Sequence, residues 1–229
     1  VASPIRIISS MATKQLLADL IGQFQQQSPQ AVTVESVGGV DAAKRVQAGE
    51  TFDLVILASN AIEQLIQAGK VVAGTRLDLV RSGVAVAVRA GAPRPDLGSE
   101  AAVKQAVLAA GSLSYSTGPS GVALMKLFER WGIAAQVQDR IVQAPPGVPV
   151  GSLVADGKVE LGFQQLSELI HLQGIDVVGP LPDEIQIITT FSAGIAATCA
   201  QPESVRPLLD FLVSRAAEAP KRANGMEPA

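Results

Sequence analysis

Three segments of this chain place small hydroxyl residues or glycine where a strand pattern gives way to a helix pattern: Ser9-Ser10-Met11, Val37-Gly38-Gly39-Val40, and Ser116-Thr117-Gly118-Pro119-Ser120-Gly121. The first N–H groups of a helix have no acceptor within it, and the helix dipole adds partial positive charge at the same end. Amides reinforced by hydroxyls make a generic anion site. The same residue types also serve as N-caps and turn residues, so one junction by itself says little. Three in one chain favour binding. The donors named by these segments are Ser9, Ser10, Met11, Gly38, Gly39, Val40, Ser116, Thr117 and Ser120.

Further polar residues lie at comparable places. Ser59-Asn60 follows the apolar run Phe52 to Ala58, and Gln164-Gln165 follows Gly162-Phe163. Gln143 precedes Ala144-Pro145-Pro146-Gly147. One of these amides could reach a ligand, and ordinary surface solvation explains each glutamine equally well. Asp41, beside Gly39, reads either as a proton-transfer base or as a carboxylate complementing a helix start. Lys14, Lys44, Arg45 and Arg81 could neutralise a polyanion, although Lys44 and Arg45 also read as a solvated helix face. His171, the only histidine, lies on an apparent helix and reads as a partly exposed residue there. Cys199 reads as a small buried hydrophobe and Trp131 as core.

These residues need elements to hold them. Ile5 to Ile8 is a strand pattern, and Leu16, Leu17, Leu20, Ile21 and Phe24 recur at helical spacing until Ser28-Pro29. Val32 to Val37 alternates as a strand, Val40 to Ala48 reads as a helix closed by Gly49, and Phe52 to Ala58 as a buried strand. Ser59-Asn60 is expected to cap a helix from Ala61 to Ala68, closed by Gly69. This alternation predicts a mainly parallel sheet covered by helices. Leu77 to Arg89 is a long extended stretch. A second series follows: helix Ala101 to Ala110, strand Leu113 to Ser116, helix Gly121 to Trp131, a short helix Gly151 to Ala155, strand Val159 to Phe163, and helix Leu166 to Leu172. Gln186 to Cys199 is extended again, and Glu203 to Ala217 reads as a terminal helix.

Two α/β series separated by two long extended stretches predict two lobes joined by a pair of crossover strands, residues 1–84 with 190–229 and residues 85–189. Two crossings would make a hinge that bends while the lobes keep facing one another. Ligands of α/β sheets sit outside the carboxyl ends of the strands, which is where the three donor segments fall.

Composition narrows the classes. The 229 residues carry a formal net charge of −3 and are 48% hydrophobic, enough for one large or two small cores. With no basic stripe and only 3% aromatic residues, nucleic acid is not an expected partner. No apolar run approaches the ~20 residues that span a bilayer. With no leader before Val1, any export signal is expected to have been removed. The single cysteine precludes an internal disulfide and a cysteine-based metal site. No Gly-x-Ser-x-Gly elbow, phosphate-binding loop, dinucleotide fingerprint or His-x-x-x-His pair is present, so neither cofactor nor metal is expected.

Taken in order, Ile7-Ile8-Ser9-Ser10, the segment GETFDLVILA from Gly49 to Ala58, Ser116 to Gly121, and Val154 to Gly162 resemble the molybdate-binding branch of the periplasmic solute-binding proteins. The resemblance runs over nearly the whole chain. It implies the type II periplasmic-binding fold with two α/β lobes, export to the periplasm, and a small anionic ligand in the cleft. Two departures count against molybdate itself. Where that branch carries Ser-Ser-Gly this chain has Val37-Gly38-Gly39, and Phe163-Gln164-Gln165 stands where a tyrosine is usual. Each lost donor is worth on the order of 1 kcal/mol or more when buried. Ser116 to Gly121, Ala144 to Gly151 (APPGVPVG) and Gly162 to Leu169 (GFQQLSEL) are similar instead to a divergent group of the branch that includes aconitate isomerase. That resemblance implies isomerisation of a small unsaturated tricarboxylate by proton transfer. The alternative it leaves open is a non-catalytic receptor delivering an oxyanion or organic acid to an ABC transporter permease.

Overall fold

A computed structural model describes residues 3–229; Val1 and Ala2, where the expected processed end falls, lie outside the described residues. In chain order the first elements are β1 (Ile5–Ser10), α1 (Lys14–Gln27), β2 (Val32–Val37), α2 (Gly39–Gln47), β3 (Leu54–Ala58) and α3 (Ser59–Gln67). Next come β4 (Leu77–Arg89), α4 (Glu100–Ala109), β5 (Leu113–Tyr115), α5 (Pro119–Arg130), α6 (Ala134–Val137), α7 (Val150–Ala155), β6 (Leu161–Gln165) and α8 (Leu166–Leu169). The chain ends with β7 (Ile175–Pro180), β8 (Ile188–Ile195), α9 (Pro202–Leu212), α10 (Glu218–Ala223) and β9 (Met226–Pro228). It divides into two compact units, Val1–Arg81 with Thr190–Ala229, and Ser82–Thr189. The two passages between units lie within β4 and β8.

In the first unit β1 is central to β2 and β3, paired parallel to both, and β8 runs antiparallel beside β3. Both faces are covered at β1 and β3, which is why these two strands read as continuous apolar runs. Ile7, Leu54 and Ile56 pack with Leu17, Leu20 and Phe24 of α1 and with Leu208 and Leu212 of α9. Ile8, Val55 and Leu57 point the other way, against Val46, Ile62 and Leu65 of α2 and α3. Each such side chain contributes roughly 1.5–3 kcal/mol by leaving water. Gly49 (φ 85°) and Gly69 (φ 70°) close α2 and α3 in the left-handed conformation that their missing side chains permit.

Two expectations for this unit need correction. Ser59 does not cap a helix beginning at Ala61: it is the first residue of α3, Ala58 holds the cap position, and no side-chain cap bond forms. The terminal helix does not run unbroken from Glu203 to Ala217. It stops at Leu212, and the Ser214 hydroxyl donates to the Phe211 carbonyl (2.7 Å) in the turn that follows. After α10 the chain returns as β9 beside β4, burying Met226.

In the second unit β5 and β6 are parallel, and β4 takes β6 and β7 as antiparallel partners. Val84, Val86, Leu113, Tyr115, Leu124, Phe128 and Phe163 form its main core. Trp131 stacks on Phe128 with ring centroids 5.9 Å apart, and its Nε1 donates to Glu100 (2.6 Å). Gly162 lies beneath α7, where a Cβ would press on the Val150 and Val154 side chains. The expected helix Leu166 to Leu172 lasts one turn, so His171 is an exposed turn residue and not a helical one. Gly174 (φ 82°) then redirects the chain into β7, an element the sequence pattern did not announce. In the first unit Cys199 is only partly buried, and desolvation pushes its thiol up to about 11.

Candidate functional site

Parallel pairing brings the carboxyl ends of β1, β2 and β3 along one edge of the first unit's sheet, with Ser10 opposite Val37 and Ser9 opposite Ile56. A short 3-10 turn (Met11–Thr13), α2 and α3 all start from that edge. Ser9 is fully buried, with its Oγ 2.7 Å from Ser36 Oγ and 3.3 Å from the Ser10 carbonyl, so it braces the edge from within. Ser10 differs. Its Oγ is buried, caps nothing and has no hydrogen-bond partner, an expensive condition unless something else occupies it. A Cβ on Gly39 would stand 3.6 Å from Ser10 Cβ, so the end of β1 and the start of α2 touch. The Ala42 N–H closes the first bond of α2, onto the Gly38 carbonyl (2.9 Å), which leaves the amides of Gly39, Val40 and Asp41 ahead of the helix ladder.

Met11, Gly38, Gly39 and Ser59 are partly exposed along this edge, and Val40 is exposed. Asp41 occupies the first turn of α2 and is partly buried. Of the cations considered, Arg45 is committed elsewhere. It pairs with Glu35 and Glu50 at 2.5 Å each and lies over the Phe52 ring, and its guanidinium holds both carboxyls below the usual carboxylate range. Arg81 donates to the Pro228 carbonyl (3.4 Å), whereas Lys14 and Lys44 are exposed.

The second unit gathers its polar residues in the same way. Tyr115 pairs with Phe163 at the end of the β5–β6 ladder, so Ser116 and Gln164 follow on neighbouring strands. Gly121 has no room for a side chain: a Cβ would overlap the Ser116 carbonyl and lie 2.9 Å from the Tyr115 ring. Glycine therefore lets the 116–120 loop fold back onto the strand end. Ser120 is buried, while Ser116 and Thr117 are partly exposed. The Val142 N–H donates to the Leu113 carbonyl (2.8 Å) and the Ala144 N–H to the Tyr115 carbonyl (3.2 Å), which lays Gln143 beside β5 with its side chain in solvent.

Gln164 is neither solvated nor idle. Only 2% exposed, it accepts from the Val150 N–H at the start of α7 (3.0 Å) and donates from Nε2 to Glu168 Oε1 (2.9 Å). Gln165 donates from Nε2 to Thr189 Oγ1 (3.0 Å), and its Oε1 is buried without a partner. Glu168 was not singled out by the sequence. It sits partly buried on the single turn of α8, where desolvation outweighs the Gln164 hydrogen bond and pushes its carboxyl up to about 7. The signal that could have found it is an acid four residues after a buried strand-end glutamine.

Among the described residues no cluster of His, Cys, Asp and Glu could hold a metal ion, and no helix is long and apolar enough to cross a membrane. What the two units offer is one edge of amides with an unpaired hydroxyl, and one edge of hydroxyls and amides beside a carboxyl that exchanges its proton near neutrality.

Comparison with known proteins adds the lineage. The sequence profile of bacterial extracellular solute-binding proteins matches residues 5–227. An aconitate isomerase from a Pseudomonas species is 38% identical over 185 residues, covering 80% of this chain and 70% of that one. Among solved structures, the periplasmic molybdate-binding protein of Azotobacter vinelandii aligns with a TM-score of 0.80 at 21% identity, over 97% of this chain and 98% of that one. A tungstate-binding protein from Desulfovibrio alaskensis aligns with a TM-score of 0.71 at 17% identity, over 100% and 99%. The two α/β units are thus those of the type II periplasmic-binding fold, and the chain belongs to the bacterial extracellular solute-binding protein family.

Proposed function

We propose that this protein is a periplasmic isomerase that interconverts trans- and cis-aconitate. The observation that carries the reading is the 38% identity to an aconitate isomerase over four-fifths of the chain. The site chemistry is consistent with it. A polycarboxylate needs many N–H and O–H donors, and each unit carries an edge of them: Ser10, Met11, Gly38, Gly39, Val40 and Ser59 in one, and Ser116, Thr117, Ser120 and Gln143 in the other. Valines at these edges, Val40 (45% exposed) and Val122 (54% exposed), suit a hydrocarbon skeleton, which an inorganic oxyanion lacks.

Rotation about a carbon–carbon double bond is too slow unaided, so the route is a shift of the double bond. A base takes a proton from the CH2 group next to the double bond, and the electron pair spreads over three carbons and their carboxylates. The bond about which rotation is needed then has reduced double-bond character. Return of the proton to the other end of the three-carbon system re-forms a double bond in the opposite geometry. The added negative charge of the intermediate is what fixed amides and hydroxyls stabilise more than they stabilise the substrate. Asp41, at the α2 start, is one candidate for the base.

Purified protein is expected to convert trans-aconitate to cis-aconitate and back, followed by proton NMR. Unchanged trans-aconitate after prolonged incubation overturns the reading. The solved relatives favour a second reading, a receptor without catalysis that hands an oxyanion or organic acid to an ABC transporter permease. Thermal stabilisation by micromolar molybdate or tungstate, with none by aconitate, would select it.

A further inference from the structure

We propose that Glu168 carries the proton in the isomerisation, with Gln164 as the positioning residue that aims its carboxyl. The inference rests on the isomerase reading. Its ground is geometric: Glu168 lies on the turn that follows the carboxyl end of β6, the strand paired parallel with β5, and ligands of parallel strands gather at such ends. Gln164 is fixed at both ends of its amide, by the Val150 N–H (3.0 Å) and by Glu168 Oε1 (2.9 Å), so one carboxylate oxygen of Glu168 is pinned and the carboxyl is oriented. The next residue, Gln165, donates from Nε2 to Thr189 Oγ1 (3.0 Å) and leaves its buried Oε1 without a donor.

The surrounding ionisable groups are engaged or exposed. Asp176 on β7 accepts from the Gly91 N–H (3.1 Å) and lies 3.5 Å from Arg94, and Asp156 after α7 lies 3.5 Å from Lys158. Arg89 at the end of β4 and His171 after α8 are exposed. Desolvation is accordingly the main influence on Glu168, and a carboxyl that titrates at about 7 is populated in both forms at neutral pH. In the step itself the ionised carboxylate removes one proton from the substrate CH2. The pair left by that C–H bond enters the three-carbon system, and the resulting carboxylic acid returns the same proton to its far end. Nothing else is consumed.

The test compares wild-type protein with Glu168→Gln and Glu168→Asp, measuring turnover by proton NMR and trans-aconitate affinity by calorimetry. Glu168→Gln is expected to lower kcat by roughly 100-fold or more while changing Kd by no more than about threefold. Glu168→Asp is expected to recover part of the activity, with the limb of its pH profile moved from that of the wild type. An active wild type with Glu168→Gln within about tenfold of it overturns the role of Glu168 and leaves the isomerase reading standing. Loss of affinity in step with loss of turnover also overturns it, since a merely structural residue would behave so. Should Glu168→Gln fail to fold, the pH limb of Glu168→Asp decides: an unmoved limb overturns the proposal. A wild type without isomerase activity removes both readings together.

Discussion

A serine hydroxyl with nothing to bond is informative because it separates binding from folding. Ser10 Oγ is buried and unpartnered, whereas its neighbour Ser9 is held by Ser36. Removing a buried polar atom that makes no bond costs the fold nothing, and can stabilise it, while a hydrogen bond to a charged ligand is worth about 1.5–3 kcal/mol. Ser10→Ala is therefore expected to leave the melting temperature unchanged or raised and to weaken aconitate binding by about 10- to 100-fold, read by calorimetry. Equal losses in both would assign Ser10 to the fold alone. Ser9→Ala, which breaks an internal contact, should instead lower stability. The two serines are adjacent in sequence and identical in type, and only their surroundings separate them.

At the scale of the element, the loop after β5 depends on one glycine. Gly121 lets the first turn of α5 close against the Ser116 carbonyl, and its own N–H and that of Val122 both donate to Gly118 (3.1 and 3.2 Å). Gly121→Ala forces backbone to move, because the obstructing atom is a carbonyl and not the end of a flexible side chain. Urea denaturation should report a loss of about 1–3 kcal/mol, and aconitate affinity should fall with it. Glycines that merely end a helix, such as Gly49 and Gly69, have open space around them and should matter far less to binding. In the same unit Gln186 acts as a local brace, accepting from the Val84 and Ile187 amides (2.9 and 2.8 Å) and donating to the Val84 carbonyl (3.1 Å) near where β4 passes between units.

For the whole molecule, Glu168 links proton uptake to folding stability. Its folded pKa is raised, so the stability associated with the protonated carboxyl is fully present below the unfolded value near 4.5 and is lost as pH rises through about 7. Glu35, Glu50 and Asp78 have lowered values, and their contribution is lost in the opposite direction, as pH falls into the acid range. Between pH 5 and 8 the wild type is expected to lose stability through Glu168, and Glu168→Gln to flatten that slope in thermal unfolding. A slope unchanged by the substitution would show that this carboxyl is not the group responsible. Ligand adds a second linkage, since anything bound only by the folded state raises its unfolding free energy by RT ln(1 + [L]/Kd).

Much of the architecture was legible in the residues alone. The apolar strands from Ile5 to Ala58, the helical spacing of Leu16 to Phe24, and the junctions at Ser10, Gly39 and Ser116 follow from short-range periodicity and turn chemistry, which each residue expresses without distant help. What escaped depended on long-range contacts. β7 and β9 exist as strands because β4 offers them partners, and the turn of α8 stops where β7 must begin. Gln164, read as a side chain free to reach a ligand, is engaged because β6 places it beneath the start of α7. Glu168 was not singled out by any pattern in the sequence. Its raised proton affinity comes from burial in the folded protein, which no local pattern encodes.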